Sequence, residues 1–150
     1  MISFLLLLLL TNTNTTDFYS QINKKNTNFY ISIIYIDENI DFPYRLECND
    51  LDNITSSERI IVTDPLTKFK LILLLNSLEQ EKNNEYLIDT RKRMDLIYNK
   101  RIVAQICIDR FYVKINNTLF TYSGGFRNLV ESIVNSPVIP DVPFPTVPDL

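Results

Sequence analysis

The stretch "RIVAQICIDRFYVKINNTLFTYSGGF", residues 101–126, decides the fold class. Within it Phe111, Val113 and Ile115 alternate with Tyr112, Lys114 and Asn116, so one side of an extended segment packs while the other meets water. Asn116-Asn117 then suits a tight hairpin, because Asn tolerates the positive φ that such turns demand. The glycine pair of "YSGGF" reads as a turn. Working outward, Phe42, Tyr44, Leu46 and Cys48 alternate with Pro43, Arg45 and Glu47, which predicts a second half-buried strand. "FKLILLLNS", residues 69–77, is more continuously apolar. It reads as a central strand covered on both faces; so short a run also suits a buried helix, and the surrounding turn signals favour the strand. Strands are predicted at about 29–36, 42–48, 59–63, 69–75, 86–91, 101–108, 111–116 and 118–122, separated by Asn/Asp/Ser clusters. The expected fold is all-β, a two-sheet antiparallel β-sandwich with no long helix.

Composition narrows the chemistry. The chain has 150 residues and a formal net charge of -3, with no basic stripe interleaved with aromatics, so the electrostatic footprint of a nucleic-acid binder is missing. It has no histidine and only two cysteines, Cys48 and Cys107, which removes imidazole acid/base catalysis and the usual zinc constellations. No metal or cofactor is expected. The two glycines fall far short of a phosphate loop, and Cys107 sits in an apolar run with no activating base beside it. Catalysis is not expected.

The N-terminus, "MISFLLLLLLTNTNTTDFYS", runs apolar from Phe4 to Leu10 and then turns small and polar, the layout of a secretory signal. A buried first strand is the competing reading, and the lack of alternation favours the signal. The expected organisation is a signal-like segment over 1–20, one β-sandwich over 21–136 and a proline-rich tail over 137–150, whose five prolines exclude ladder pairing. Secretion would make the sequons at Asn14, Asn53 and Asn116 available for glycosylation and would permit a disulfide. Cys48 and Cys107 are then either one bridge or two separate buried thiols, and sequence leaves both open.

The order of the segments resembles the galectin family. "DRFYVKINNTLFTY" resembles that family's late F-x-V-x-V-N-x-x-x-F-x-x-Y stretch; "IVTDPL" sits where galectins carry H-F-N-P-R, "LLLNS" where they carry V-x-N-S, and "YLIDTR" where they carry W-x-x-E-x-R. The resemblance spans residues 29 to 134. It implies a jelly roll of the galectin/concanavalin type that binds β-galactosides on a concave sheet without metal. The carbohydrate-binding residues it implies are Asp64, Asn76, Tyr86, Asp89 and Arg91, with Tyr86 in place of the Trp that stacks on galactose. Strand periodicity puts Asp89 and Arg91 on one face, while Tyr86 joins them only from a preceding loop or through a bulge.

Two departures weaken the expected site. The family's His and Arg fall at Val62 and Leu66, and losing such hydrogen bonds at about 1 to 3 kcal/mol each lowers affinity by one or more powers of ten. The functional expectation is therefore a secreted, non-catalytic module that binds glycans or glycoproteins weakly or with altered specificity, with a homodimer as a further option. The alternative is a protein-interaction or structural β-sandwich that has lost the sugar.

Overall fold

The computed structural model describes residues 29–82 and 85–136. Its frame is one antiparallel sheet of seven strands: β1 (Phe29–Tyr35), β2 (Glu58–Val62), β3 (Glu79–Gln80), β4 (Lys92–Tyr98), β5 (Arg101–Ile108), β6 (Tyr112–Ile115) and β7 (Thr118–Thr121). The strands lie in the order β2-β1-β4-β5-β6-β7-β3. Two helices, α1 (Pro65–Asn76) and α2 (Gly124–Val134), and a short 3-10 helix (Asp50–Asp52) complete the described elements. The signal-like run, the Asn14 sequon and the proline-rich tail lie outside the described residues.

The β-rich, antiparallel character follows the sequence reading, and so does the hairpin. Asn116 and Asn117 have φ of 48° and 68°, and they join Ile115 to its partner Thr118 as a two-residue turn. Asn99 and Lys100 do the same between β4 and β5, with φ of 49° and 64°. Strands β4 to β7 are thus a meander, flanked on one side by β1 and β2 and on the other by the two-residue β3.

Four expectations are corrected. Residues 69–75 are not a strand but part of α1. Asp64 is its N-cap, accepting a hydrogen bond from the Thr67 amide at 2.7 Å, and Pro65 follows at a position where its missing N–H costs nothing. Leu71, Ile72 and Leu75 then share the buried face. Residues 42–48 form a loop with no regular structure, and 86–91 is an irregular lead into β4, which the sequence reading did not contain. The glycine turn of "YSGGF" opens α2, whose Phe126, Val130 and Val134 recur every four residues and are all buried.

Among the described residues there is a single sheet, and each of its faces is covered by something other than a second one. Phe29, Ile31 and Ile33 of β1, Met94 and Leu96 of β4, and Ile106 and Ile108 of β5 point toward the helices and make the main core with the apolar faces of α1 and α2. Fully burying one such side chain stabilises by about 1.5–3 kcal/mol. The alternate residues face the loop 36–57, whose Leu46 and Leu51 pack on Ile34 and Ile36 as a smaller second core. The period-2 rule therefore holds for β1 on both sides, one face under helices and the other under a loop.

Because α1 leads from β2 at one edge of the sheet to β3 at the other, it crosses the face. Its Lys68 is buried, with Nζ donating to the Phe29 carbonyl at 3.0 Å and lying over the Phe29 ring, which ties the helix to β1. Burial lowers the pKa of this ammonium, an effect that Asp64 partly offsets.

Candidate functional site at the loop end of the sheet

The C-terminal ends of β1, β5 and β7 and the N-terminal ends of β4 and β6 meet at one end of the sheet, as the registers Tyr35↔Lys92, Lys92↔Ile108, Ile108↔Val113 and Tyr112↔Thr121 require. Three connections gather there: the loop 36–57, the segment 85–91 and the turn 109–111. Each is held by buried or half-buried polar groups.

Asp89 and Arg91 are the clasp of the long loop. The Asp89 carboxylate accepts from the Leu46 amide at 2.9 Å and from Nε and Nη2 of Arg91 at 2.9 and 2.7 Å. Arg91 Nη1 donates to the Ile40 carbonyl at 2.8 Å, and the guanidinium lies over the Phe42 ring at 5.4 Å. Asp109 is the second clasp. Its two oxygens accept from the amides of Asp89 and Phe111 at 3.0 and 2.9 Å, joining the turn to segment 85–91. Above that turn the Tyr122 hydroxyl lies 2.8 and 2.6 Å from the carbonyls of Asp109 and Arg110, and burial pushes its phenol up to about 12.

A third set of clamps works beneath the loop. Arg93, 3% exposed, grips Asp52 through Nη1 and Nη2 at 2.6 and 2.8 Å and also meets Asp95 and the Cys48 carbonyl. Next to it in register, Cys107 is bonded to Cys48 with the two Cα atoms 5.4 Å apart. The pairing that sequence left open is thus settled as one disulfide between the loop and β5. Lys92 on the other face bridges Glu38 of the loop and Glu131 of α2 at 2.6 and 3.0 Å.

Of the five predicted binding residues the structure brings three together. Tyr86, Asp89 and Arg91 share one segment of the loop end. Asp64 and Asn76 are at the two ends of α1, about 18 Å apart along its axis at 1.5 Å per residue, toward opposite edges of the sheet. Asp89 and Arg91 meet in an irregular segment rather than on a strand face, and they bind each other and the loop backbone. Tyr86 takes no part in that clasp and rests on Tyr112, ring centroids 4.3 Å apart. Partial burial and the neighbouring Asp109 carboxylate raise its phenol pKa. The remaining sequons, Asn53 and Asn116, are exposed on turns.

Three further residues of this surface, Tyr44, Leu87 and Phe111, are not among the predicted site residues. Tyr44, Tyr86, Leu87 and Phe111 are 62%, 43%, 63% and 59% exposed, on all three connections. Phe111 was expected to point inward with Val113; it precedes β6, so strand alternation does not govern it, and Arg110 lies over its ring at 5.6 Å. No local signal separates an aromatic in such a loop from one in a core. Among the described residues no group of three or more His, Cys, Asp or Glu side chains could hold a metal ion, and no helix is long and apolar enough to cross a membrane.

The ion pairs make stability depend on acid. Lys92 beside Glu38, Arg93 beside Asp52 and the Thr67 hydrogen bonds to Asp64 each hold a carboxyl below its ordinary pKa of 4.5 or 3.8. A lowered folded-state pKa gives stability that is complete above the unfolded pKa and lost as pH falls through the folded one. Asp95 opposes this, because burial raises its pKa and acid relieves the strain of its charge. With three groups against one, the urea midpoint should hold steady from neutral pH down to about 5 and fall below about 4.5. Glu38→Gln should flatten the decline; a midpoint unchanged down to pH 3 would show that these pairs are not retained in solution.

Among the described residues, fold and site define a class: a disulfide-tied antiparallel sheet with helices on one face and exposed apolar side chains on the loops at one end. Compared with protein-family models, with curated proteins and with solved structures, the chain matches none.

Proposed function

We propose that this protein is a non-catalytic recognition module that binds another protein through the loop end of its sheet. The observation that carries this is the exposure of Tyr44, Tyr86, Leu87 and Phe111 on three connections clamped to one another. Exposed large apolar side chains on a rigid support are the usual mark of an interface, and aromatics contribute most there. The carboxylates of this surface support a non-catalytic role, since Asp89 and Asp109 are committed to backbone amides and to Arg91. The signal-like N-terminus, the disulfide and the exposed sequons support an extracellular setting in which Asn53 carries a glycan.

Glycan binding is a second reading, favoured by the Tyr86 ring, which Tyr112 backs and which presents a flat face for a sugar to stack on. It lacks the rest of the galectin constellation, because Asn76 and Asp64 are elsewhere and helices cover the face that a jelly roll would pack with a second sheet. Chemical crosslinking of the full chain to extracellular proteins, repeated with Tyr44→Ser and Phe111→Ser, tests the first reading. Capture should fall about tenfold, a loss near 1.4 kcal/mol, with no change in Tm. Capture indifferent to both substitutions would remove the surface from the proposal. A glycan array that lights up with the native chain and goes dark with Tyr86→Ala would transfer the site to the second reading.

A further inference from the structure

On the helix face, at the end of the sheet opposite the clamped loops, strands β4 and β5, the Asn116-Asn117 hairpin and the C-terminus of α1 border a trough of about 320 Å³. Its floor is Leu96, Ala104 and Ile106, each at most 5% exposed, and its walls are Leu75, Leu78 and Phe120. We infer that this trough is a binding site for a small, uncharged, mainly aliphatic molecule with a single hydrogen-bonding head.

The space exists for two identifiable reasons. Ala104 is the only alanine in the 150 residues, and it stands in the sheet directly opposite Leu96, where any larger side chain would fill the floor. Beside it the register shifts between Leu96 and Ile97: Ala104 pairs with Leu96 and Ile102 with Ile97, so Val103 is an extra residue, a bulge that bends β5 at this point. Protein interiors close gaps of this size where packing alone is at stake, since each unfilled contact is lost attraction. A bulge and the smallest chiral side chain in succession keep this one open.

The lining states the chemistry of the occupant. Around the aliphatic floor the polar groups are the amides of Asn76 and Asn116 and the hydroxyl of Thr118, and no ionisable side chain lines the trough. A charged head would lose its hydration with nothing here to replace it, whereas a hydroxyl or amide finds both donors and acceptors at the rim. Each Å² of apolar surface that the ligand hides contributes about 25 cal/mol. At about 30 Å³ for each water-sized group, the volume suits a chain of roughly ten carbons. Asn76 thereby takes a ligand-facing role at a site separate from Tyr86.

Displacement of a neutral naphthylamine dye from the full chain by decanol, with decanoate as the charged counterpart, tests the inference. Decanol should displace the dye at least about tenfold more effectively than decanoate at neutral pH. Ala104→Leu should weaken decanol by about tenfold or more while Tm stays level or rises, because the added methyl groups fill the trough. Asn76→Leu, which removes a polar partner of the head at the rim, gives the same reading should Ala104→Leu fail to fold. Dye that does not bind, decanoate that competes as well as decanol, or decanol binding that survives both substitutions would each overturn the inference. None of these outcomes touches the loop-end surface, so the two proposals fail separately.

Discussion

Replacing Cys48 and Cys107 together by alanine is expected to destabilise the protein by about 4 kcal/mol, the loop-closure value for their sequence separation of 59 residues. For a chain of this size that is a drop in Tm of roughly 10 °C. The bridge is the covalent member of the set that closes the loop 36–57 over the sheet. Without it, Leu46 and Leu51 are held on Ile34 and Ile36 by their own packing and by non-covalent clamps: the Arg93–Asp52 and Lys92–Glu38 ion pairs, the Arg91 hydrogen bond to the Ile40 carbonyl, and the bonds of Leu46 to Asp89 and to the Thr90 amide. Urea unfolding with and without a thiol reductant measures the effect, and the slope of the transition reports whether the unfolded state has expanded as the mechanism requires. A loss below about 1 kcal/mol would mean that the polar clamps alone constrain the loop. Because Phe42 and Tyr44 belong to the same loop, the double substitution should also weaken whatever binds the exposed aromatic surface.

Arg93→Ala is the second large effect, about 3–5 kcal/mol. Arg93 is 3% exposed between Asp52 of the loop and Asp95 of its own strand, so its removal leaves a buried carboxylate without a cation. Lysine should recover little, since a single ammonium does not reproduce the two-pronged grip on Asp52. Replacing the pair, Arg93→Met with Asp95→Leu, should recover most of the loss, because well-packed apolar side chains escape the desolvation that both charges suffer. Should the single and the double variant unfold at the same urea concentration, the uncompensated charge is not the cause and lost packing is.

The second experiment concerns strand β4, which the sequence did not disclose. "KRMDLIY" has charges at Lys92, Arg93 and Asp95, and all three are buried. Burial of charge at those positions depends on partners that local pattern cannot supply: Glu38 and Glu131 for Lys92, Asp52 for Arg93, brought from up to 54 residues away. The same limitation explains why the structural role of Asp89 and Arg91 is not legible in sequence. Their spacing put the acid and the base together, but only the arrival of Ile40 and Leu46 shows that the pair holds a loop.

Composition and period were enough to rule out imidazole chemistry, to place β1, β2 and the meander β5–β6–β7, and to set the Asn116-Asn117 turn, because alternation and positive φ are properties of a few adjacent residues. The helices were decided by local capping together with tertiary structure. A short run such as "FKLILLLNS" satisfies a buried strand and a buried helix equally, and what selected the helix was an N-cap at Asp64, a proline tolerated at its first turn, and a sheet face that offered the run a surface to cover. The disulfide, the buried charges and the trough beside Ala104 were decided by tertiary structure alone, since each depends on which distant segments come to lie side by side.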